Sequence, residues 1–408
     1  MNKSYIWIIG GGVLQIPLIK ESKALGLKTI VSDGNKDCIC AKEADIFLEI
    51  DIFDIPGHIK KAREFQVSGI NILGVLAAGI DAPETMAKIS EFLGLNCVSS
   101  KIAHLVNHKE LFREKMVEIG TPVPKFKIVS KSNFDQIPEF VEEIGYPLIV
   151  KNTSSSGSRG TKIFYEEDIK EIKKTAQEAI DVSRSSKALI ESLWIGTEHT
   201  VETIFDVDGN FHKCFITDRN FDRSEGFALE TGLVHPSLKS EKEQNEMYKL
   251  AEKVSNSLGI KIGASKFDMI FTEHGPRIIE MTVRLSGGFD CQYLVPAATG
   301  KNILKAAILT SIGKIFDPSL LEDKKKRACL TESLWPNPGK IIEITGLEKI
   351  TSLPGFENIF FRYEIGDIVE NYSDCTKRVC FIIASGSNYE EAKKNMNKIK
   401  NNIQIITE

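Results

Sequence analysis

The sequence predicts a multi-domain protein of mixed α/β and α+β class. Three observations lead there. The chain has 408 residues, which at roughly 150 residues per domain is enough for two or three units. Apolar residues make up 42% and charged residues 26%, an ordinary globular balance. Short apolar runs alternate with helical stripes over the first hundred residues, which implies a parallel sheet with helices on its faces. The C-terminal stretch instead mixes strand candidates with one closing helix.

Tyr5–Ile9 is an apolar strand ending in Gly10-Gly11-Gly12, and Leu14–Leu25 follows with helical periodicity. Strands at Lys28–Ser32, Phe47–Ile50 and Ile72–Ala77 alternate with helices near Pro56–Phe65 and Ala82–Leu93. Gly10 and Gly12 fit the first two positions of G-x-G-x-x-G, but Gln15 stands at the third, where glycine lets the helix approach the strand. The turn is therefore read as a tight backbone feature lining a substrate site rather than as a dinucleotide fingerprint.

Charge and composition exclude several classes. Lys plus Arg number 52 and Asp plus Glu 56, a net charge of −4 without a concentrated basic face, so no nucleic-acid partner is expected. Lys324–Arg327 follows Glu322 and Asp323 and reads as a solvated linker. No run of about 18 apolar residues occurs, so no membrane span is expected. Three glycines and Pro17 interrupt the first apolar run and no small-x-small cleavage pattern follows, which reads as cytoplasmic. The eight cysteines are scattered without a CxxC, as expected of reduced thiols.

The middle of the chain carries the chemistry. Lys109–Ile119 reads as a helix stopped by Gly120, Pro122 and Pro124. A strand at Lys125–Val129, a helix near Phe134–Ile144 and a strand at Pro147–Lys151 follow. The loop Asn152–Gly160 comes next, with Lys151 at its start and Arg159 inside. Ser155, Ser156, Gly157, Ser158 and Gly160 allow backbone N–H groups to approach an anion, and the cations balance its charge. A triphosphate suits this loop, although no Walker sequence is present. Lys187–Glu191 is the next strand. Beyond it, the backbone at Leu193–Trp194 could read an adenine edge, and Glu198 could accept from ribose hydroxyls.

Ser265–Phe271 and Arg277–Arg284 flank the turn Thr272–Pro276. Centring the hairpin on His274 places Asp268 opposite Glu280 and Lys266 opposite Thr282. Phe267, Met269, Phe271, Ile279, Met281 and Val283 then share the core-facing side. Facing carboxylates repel, and a hard divalent cation such as Mg²⁺ between them removes the repulsion. His104 and His108 are four apart, with no third ligand evident. Glu241–Leu258 carries an apolar helical stripe that reads as core packing.

A phosphate loop entered by a lysine, an adenine-type hinge and a carboxylate hairpin ending in arginine occur here in one order, and that order resembles the ATP-grasp superfamily. The likeness covers most of the chain. It implies a Rossmann-like pre-ATP-grasp domain over 1–105, an ATP-grasp fold over 106–310 with a mobile lid at about 125–190, and a small α+β domain over 311–408. The stretch from Gly366-Asp367 to Glu390-Glu391-Ala392 resembles the closing domain of biotin carboxylase-like and L-amino acid ligase-like members. By this resemblance Lys109 and Lys151 contact the α and β phosphates of ATP, and Ser155 to Gly160 cover the β and γ phosphates. Glu191 with Leu193–Trp194 holds adenine, and Glu198 holds ribose. Asp268 and Glu280 bind Mg²⁺ or Mn²⁺. Arg284 steadies the acyl phosphate or carboxylate, with Lys151 and Arg159 assisting phosphoryl transfer. Ser286, Gly287 and Gly288 lie near the acyl substrate. Thr282 replaces the family's usual asparagine, which leaves the second metal position open.

The implied activity is ATP-dependent carboxylate–amine ligation through an acyl phosphate, releasing ADP, with small-molecule acid and amine substrates and a homodimer as the family-level assembly. Two alternatives stand beside it: a carboxylase using bicarbonate, and a nucleotide-binding module without chemistry. Past a helix at Lys301–Ile312, strands at Arg327–Leu334, Lys340–Ile344 and Val379–Ala384 and a helix at Tyr389–Lys400 are expected to pack back on the catalytic core.

Overall fold

A computed structural model describes residues 3–155 and 157–408. Strands β1 (Ser4–Ile9), β2 (Lys28–Asp33), β3 (Ile46–Glu49) and β4 (Asn71–Ala77) form a parallel sheet in the order β3-β2-β1-β4. Both faces of β1 are buried. Ile6 and Ile8 pack to one side, Trp7 and Ile9 to the other. That is why the strand reads as an unbroken apolar run.

Strands β5 (Phe126–Val129), β6 (Leu148–Asn152), β7 (Lys162–Phe164) and β8 (Ala188–Ser192) make a separate antiparallel sheet, ordered β5-β8-β6-β7. The helices Ile137–Ile144 and Ile169–Val182 bury Val141, Ile144, Ile172 and Ala176 against it.

The largest sheet begins with β9 (Thr197–Phe205), β10 (Phe211–Asp222), β11 (Leu229–His235), β12 (Gly263–Thr272) and β13 (Gly275–Thr282). It continues through β14 (Ala328–Glu332), while β15 (Gly339–Thr345) leaves it, and β16 (Phe356–Phe361) returns as an edge. β17 (Ile368–Val369) pairs with β15, and β18 (Cys380–Gly386) lies between β14 and β16. The final strand, β19 (Gln404–Thr407), completes the small sheet β17-β15-β19. The eight-stranded order is β13-β12-β9-β10-β11-β14-β18-β16. The C-terminal stretch thus extends the central sheet through β11–β14 pairing, and the helix Tyr389–Lys400 buries Ala392, Met396 and Ile399 on that extension.

The helix Glu241–Leu258 covers the opposite end of the sheet. Ser240 and Glu243 form a reciprocal capping box at its start, and Met247, Ala251 and Val254 enter the core. Two contacts join the first sheet to the last hairpin: Gly79 N–H donates to Leu285 O (3.1 Å), and Ala78 bridges Leu285 in parallel. Among the described residues no helix is long and apolar enough to cross a membrane.

The hairpin register matches expectation at the carboxylates, where Asp268 pairs Glu280 and Lys266 pairs Thr282. A bulge follows between Asp268 and Met269, so Met269 pairs Ile278. The extra residue reverses the facing of β13 beyond it. Ile278 is therefore the buried residue, and Ile279, expected in the core, lines the cavity described next.

Candidate active site

One cavity of about 710 Å³ lies where the parallel sheet, the β5–β8 sheet and the central sheet meet. The turn Gly11–Gln15 forms part of its wall. Gln15 explains its place in the glycine turn: its Oε1 accepts from Gly12 N–H (2.8 Å) and its amide donates to Ala78 O.

Along one wall stand three cations. Lys109 opens the helix Lys109–Glu118, and Arg113 sits one turn later on the same face. Lys109 Nζ donates to Ser155 O (2.9 Å) and lies 3.3 Å from Glu280 Oε2. Arg113 is fully buried. Its Nε meets Glu191 Oε1 at 2.6 Å and its Nη2 meets Oε2 at 3.3 Å. It also donates to Ile278 O (3.2 Å) and Ile279 O (2.8 Å). Lys151 pairs with the other side of Glu191. Burial pushes the Glu191 carboxyl up, but Arg113 and Lys151 outweigh it and hold it at about 2. Burial, reinforced by Arg113 and Lys109, lowers Lys151, while Glu191 opposes.

Across the cavity, Asp268 and Glu280 face each other on β12 and β13. Lys266 Nζ lies 2.5 Å from Asp268 Oδ1, and Arg219 Nη1 lies 3.0 Å from the same oxygen. Burial, with Glu280 adding to it, raises Asp268. Glu280 is held well below the usual range, where Lys109 and Lys266 outweigh its own burial. The pair thus behaves as two carboxylates sharing a proton. A hard cation replaces such a proton, so the donor set fits Mg²⁺.

Arg219 joins three acids: Asp268, Glu198 (3.8 Å) and Glu230 (2.7 Å). Glu230 is also held by Arg378 at 3.0 Å, and the two arginines outweigh burial to keep it at about 2. Arg223 pairs with Glu198. Arg284 Nε donates to Ile80 O (2.8 Å) and Nη1 to Leu285 O (2.8 Å), which ties the first sheet to the hairpin end.

Most residues singled out in the sequence line this cavity: Lys109, Lys151, Ser155, Gly157, Ser158, Glu191, Leu193, Trp194, Glu198, Asp268, Glu280, Arg284, Gly287 and Gly288. Ser156 lies outside the described residues. Arg159 and Gly160 are not among the lining residues. Arg159 turns toward Asp81 (3.4 Å), and Gly160 packs so closely on the helix Ile169–Val182 that an added Cβ would lie 3.0 Å from Ala179 Cα. Ser286 is buried under its loop, its N–H donating to Glu202 Oε2 at 3.0 Å. Two adenine-site expectations need correction. The Glu191 carboxylate is occupied by Arg113 and Lys151, and the Leu193 N–H is bonded to Pro147 O (2.9 Å). His104 and His108 do acquire a third group, Glu84 (3.1 Å from His104 Nδ1), but this cluster is not among the residues lining the cavity.

Sequence reasoning missed Arg113, Arg219, Arg223, Glu230 and Arg378. For Arg113 a signal existed, its spacing of four from Lys109. The others depend on cross-strand pairing of β10 with β9 and β11 and on the return of β18.

Residues 108–317 match the family described as Carbamoyl-phosphate synthase L chain, ATP binding domain. The chain belongs to the ATP-grasp ligase family. Residues 333–408 match a second family, L-amino acid ligase C-terminal domain 2. The carbamoyl phosphate synthase large chain of Thermotoga neapolitana is 28% identical over 313 residues, 73% of this chain and 27% of that protein. The N-terminal section of the Methanopyrus kandleri large chain is 30% identical over 217 residues, 51% of this chain and 36% of the relative. This ATP-grasp chain therefore spans well under half the length of those relatives. Among solved structures, the L-amino acid ligase of Bacillus licheniformis shares the fold with a TM-score of 0.82, 18% identity and full coverage of both chains. N5-carboxyaminoimidazole ribonucleotide synthetase of Thermotoga maritima gives 0.72 and 17%, over 99% of both chains.

Proposed function

We propose that the chain is an ATP- and Mg²⁺-dependent carboxylate–amine ligase that forms an amide or peptide bond through an acyl phosphate. The observation that carries this reading is the meeting, in one cavity, of the cations Lys109, Arg113 and Lys151 with the carboxylates Asp268 and Glu280. The match of residues 333–408 to an amino acid ligase domain favours a C–N product over a carboxylated one.

In this reading Lys109 and Lys151 neutralise phosphate oxygens, and Arg113 and Glu191 fix the Lys151 ammonium in place. Adenine is read by the Leu193 carbonyl and the Trp194 N–H, with Glu198 on the ribose. Asp268 and Glu280 hold Mg²⁺, which neutralises charge on the transferring phosphoryl group. Arg284 holds the substrate carboxylate as its oxygen attacks the γ-phosphorus and ADP departs. An amine then attacks the acyl carbon, and phosphate leaves. The unit around 125–190 acts as a lid. Gly157 O accepts from Cys375 N–H (3.0 Å), so the phosphate loop rests on the C-terminal segment and water is kept from the acyl phosphate.

The test is phosphate release from Mg·ATP across pooled amino acids, with and without bicarbonate, identifying the nucleotide product. ADP formation that requires both a carboxylate and an amine is expected. ADP formation with bicarbonate alone would point to a carboxylase, and AMP would exclude the acyl phosphate route.

A further inference from the structure

The end of the cavity beyond Arg284 has a chemistry of its own. The loop Ser286–Gly288 ends at Phe289, whose backbone is left-handed (φ 69°). A non-glycine residue there costs of order 1–2 kcal/mol, so the conformation persists only where the surroundings enforce it. Its result is placement. The Phe289 ring stacks on Phe360 at 4.5 Å and meets Phe381 at 4.7 Å. Val13, Leu14 and Leu233 line the same end. The wall is therefore assembled from the first glycine turn, the hairpin exit and the C-terminal strands.

The next residue, Asp290, also lines the cavity and is only 2% exposed. Its Oδ1 accepts no hydrogen bond. A buried carboxyl oxygen without a donor is costly unless something outside the protein supplies one. Gly288 leaves room for it: a Cβ there would stand 3.7 Å from Asp290 Oδ2 and 3.2 Å from Leu233. Glu202 and Glu230 add negative potential around this carboxyl. A cationic donor suits such a place, and an anion does not.

We infer that this end of the cavity binds an α-amino acid with an apolar side chain, its ammonium group donating to Asp290 and its side chain lying against Phe289, Phe360 and Phe381. The inference rests on the ligase reading for its purpose and on the cavity alone for its chemistry. An apolar wall stabilises a hydrocarbon side chain and offers no partner to a charged one, so aspartate and lysine are disfavoured by the group left unpaired.

The test is calorimetric binding to the full chain in Mg·ADP. L-Leucine and L-phenylalanine are compared with isocaproate and hydrocinnamate, the same skeletons without the amino group. Loss of a charge-assisted hydrogen bond corresponds to about 10- to 100-fold weaker binding of the deaminated pair. In Asp290→Asn, which keeps the shape, leucine is expected to fall to the level of isocaproate while ADP affinity holds. Phe360→Ala is expected to weaken phenylalanine far more than alanine. Equal binding of leucine and isocaproate to the unaltered protein, or unchanged leucine affinity in Asp290→Asn, overturns the inference. ATP turnover only with acids lacking an amino group overturns it and leaves the ligase reading standing. Amino acid binding as described, with no ATP consumed for any amine, supports this site and removes the ligase reading.

Discussion

Replacing Glu191 with glutamine tests the part of the site that orders the rest. Glu191 is shared by Arg113 and Lys151 in a fully buried triad. The substitution leaves two like charges side by side with no counter-ion, and breaking a buried pair from one side costs about 3–5 kcal/mol. A second route gives a similar size. Glu191 titrates at about 2 in the folded chain against 4.5 when exposed, a gap worth about 3 kcal/mol at pH 7. The sign follows from the depressed value. The stabilisation is full above the unfolded value of 4.5 and is lost as pH falls toward 2, by about 1 kcal/mol at pH 4 and about 2 kcal/mol at pH 3. Urea unfolding of both proteins at pH 7 and at pH 4 measures it. Glu191→Gln is expected to be less stable by about 3–5 kcal/mol at neutral pH, with a gap that narrows on acidification. A variant within about 0.5 kcal/mol of the parent, or a gap constant with pH, refutes the assignment of Glu191 as the ionised centre of the triad.

Asp268→Asn and Glu280→Gln should each lower Mg²⁺-dependent ADP formation by about a hundredfold or more while circular dichroism is unchanged, because they remove phosphoryl-transfer electrostatics. Gly79→Ala should destabilise the chain by about 1–3 kcal/mol in thermal unfolding, since φ there is +64° and a Cβ would fall 2.5 Å from Leu14 Cδ1 and 3.1 Å from Gly287 Cα. Arg113→Lys, which keeps charge but loses the paired contact to Glu191, should raise KM for ATP by about tenfold, measured by ADP release at varied ATP.

The hairpin at 263–282 was legible because a turn of composition Thr-Glu-His-Gly-Pro fixes a centre and side chains then alternate. The bulge after Asp268 was not legible, because its cause is packing on β9 and not local composition; hence the exchange of Ile278 and Ile279. Helices Glu241–Leu258 and Tyr389–Lys400 end at the expected residues, since each buries a clean stripe and carries a side-chain cap. β9 and β10, the middle of the central sheet, were not identified at all. His199, Thr200, Glu202 and Thr203 on β9 are buried polar residues, so apolar periodicity fails where the strand builds the site. The same polarity hid Arg219 and Glu230, whose contacts link residues that only strand pairing brings together.

The overall charge of −4 argued against a polyanion partner, and the cavity shows why whole-chain charge says little about a nucleotide site. Among the described residues, nine lysines and arginines and seven aspartates and glutamates line it. The local balance is therefore positive inside a negative protein. Low-dielectric walls concentrate that potential on a ligand entering the cavity. The cations do not stand free there. Arg219 is committed to Glu198, Glu230 and Asp268, and Lys151 and Arg113 to Glu191. Such pairing holds each guanidinium and ammonium in one position before a phosphate arrives, so little ordering remains to be done on binding. The acids thus serve as the fixed frame for the cations, and Asp290, whose Oδ1 accepts no hydrogen bond, stands apart from that frame at the end of the cavity where a cation must come from the ligand.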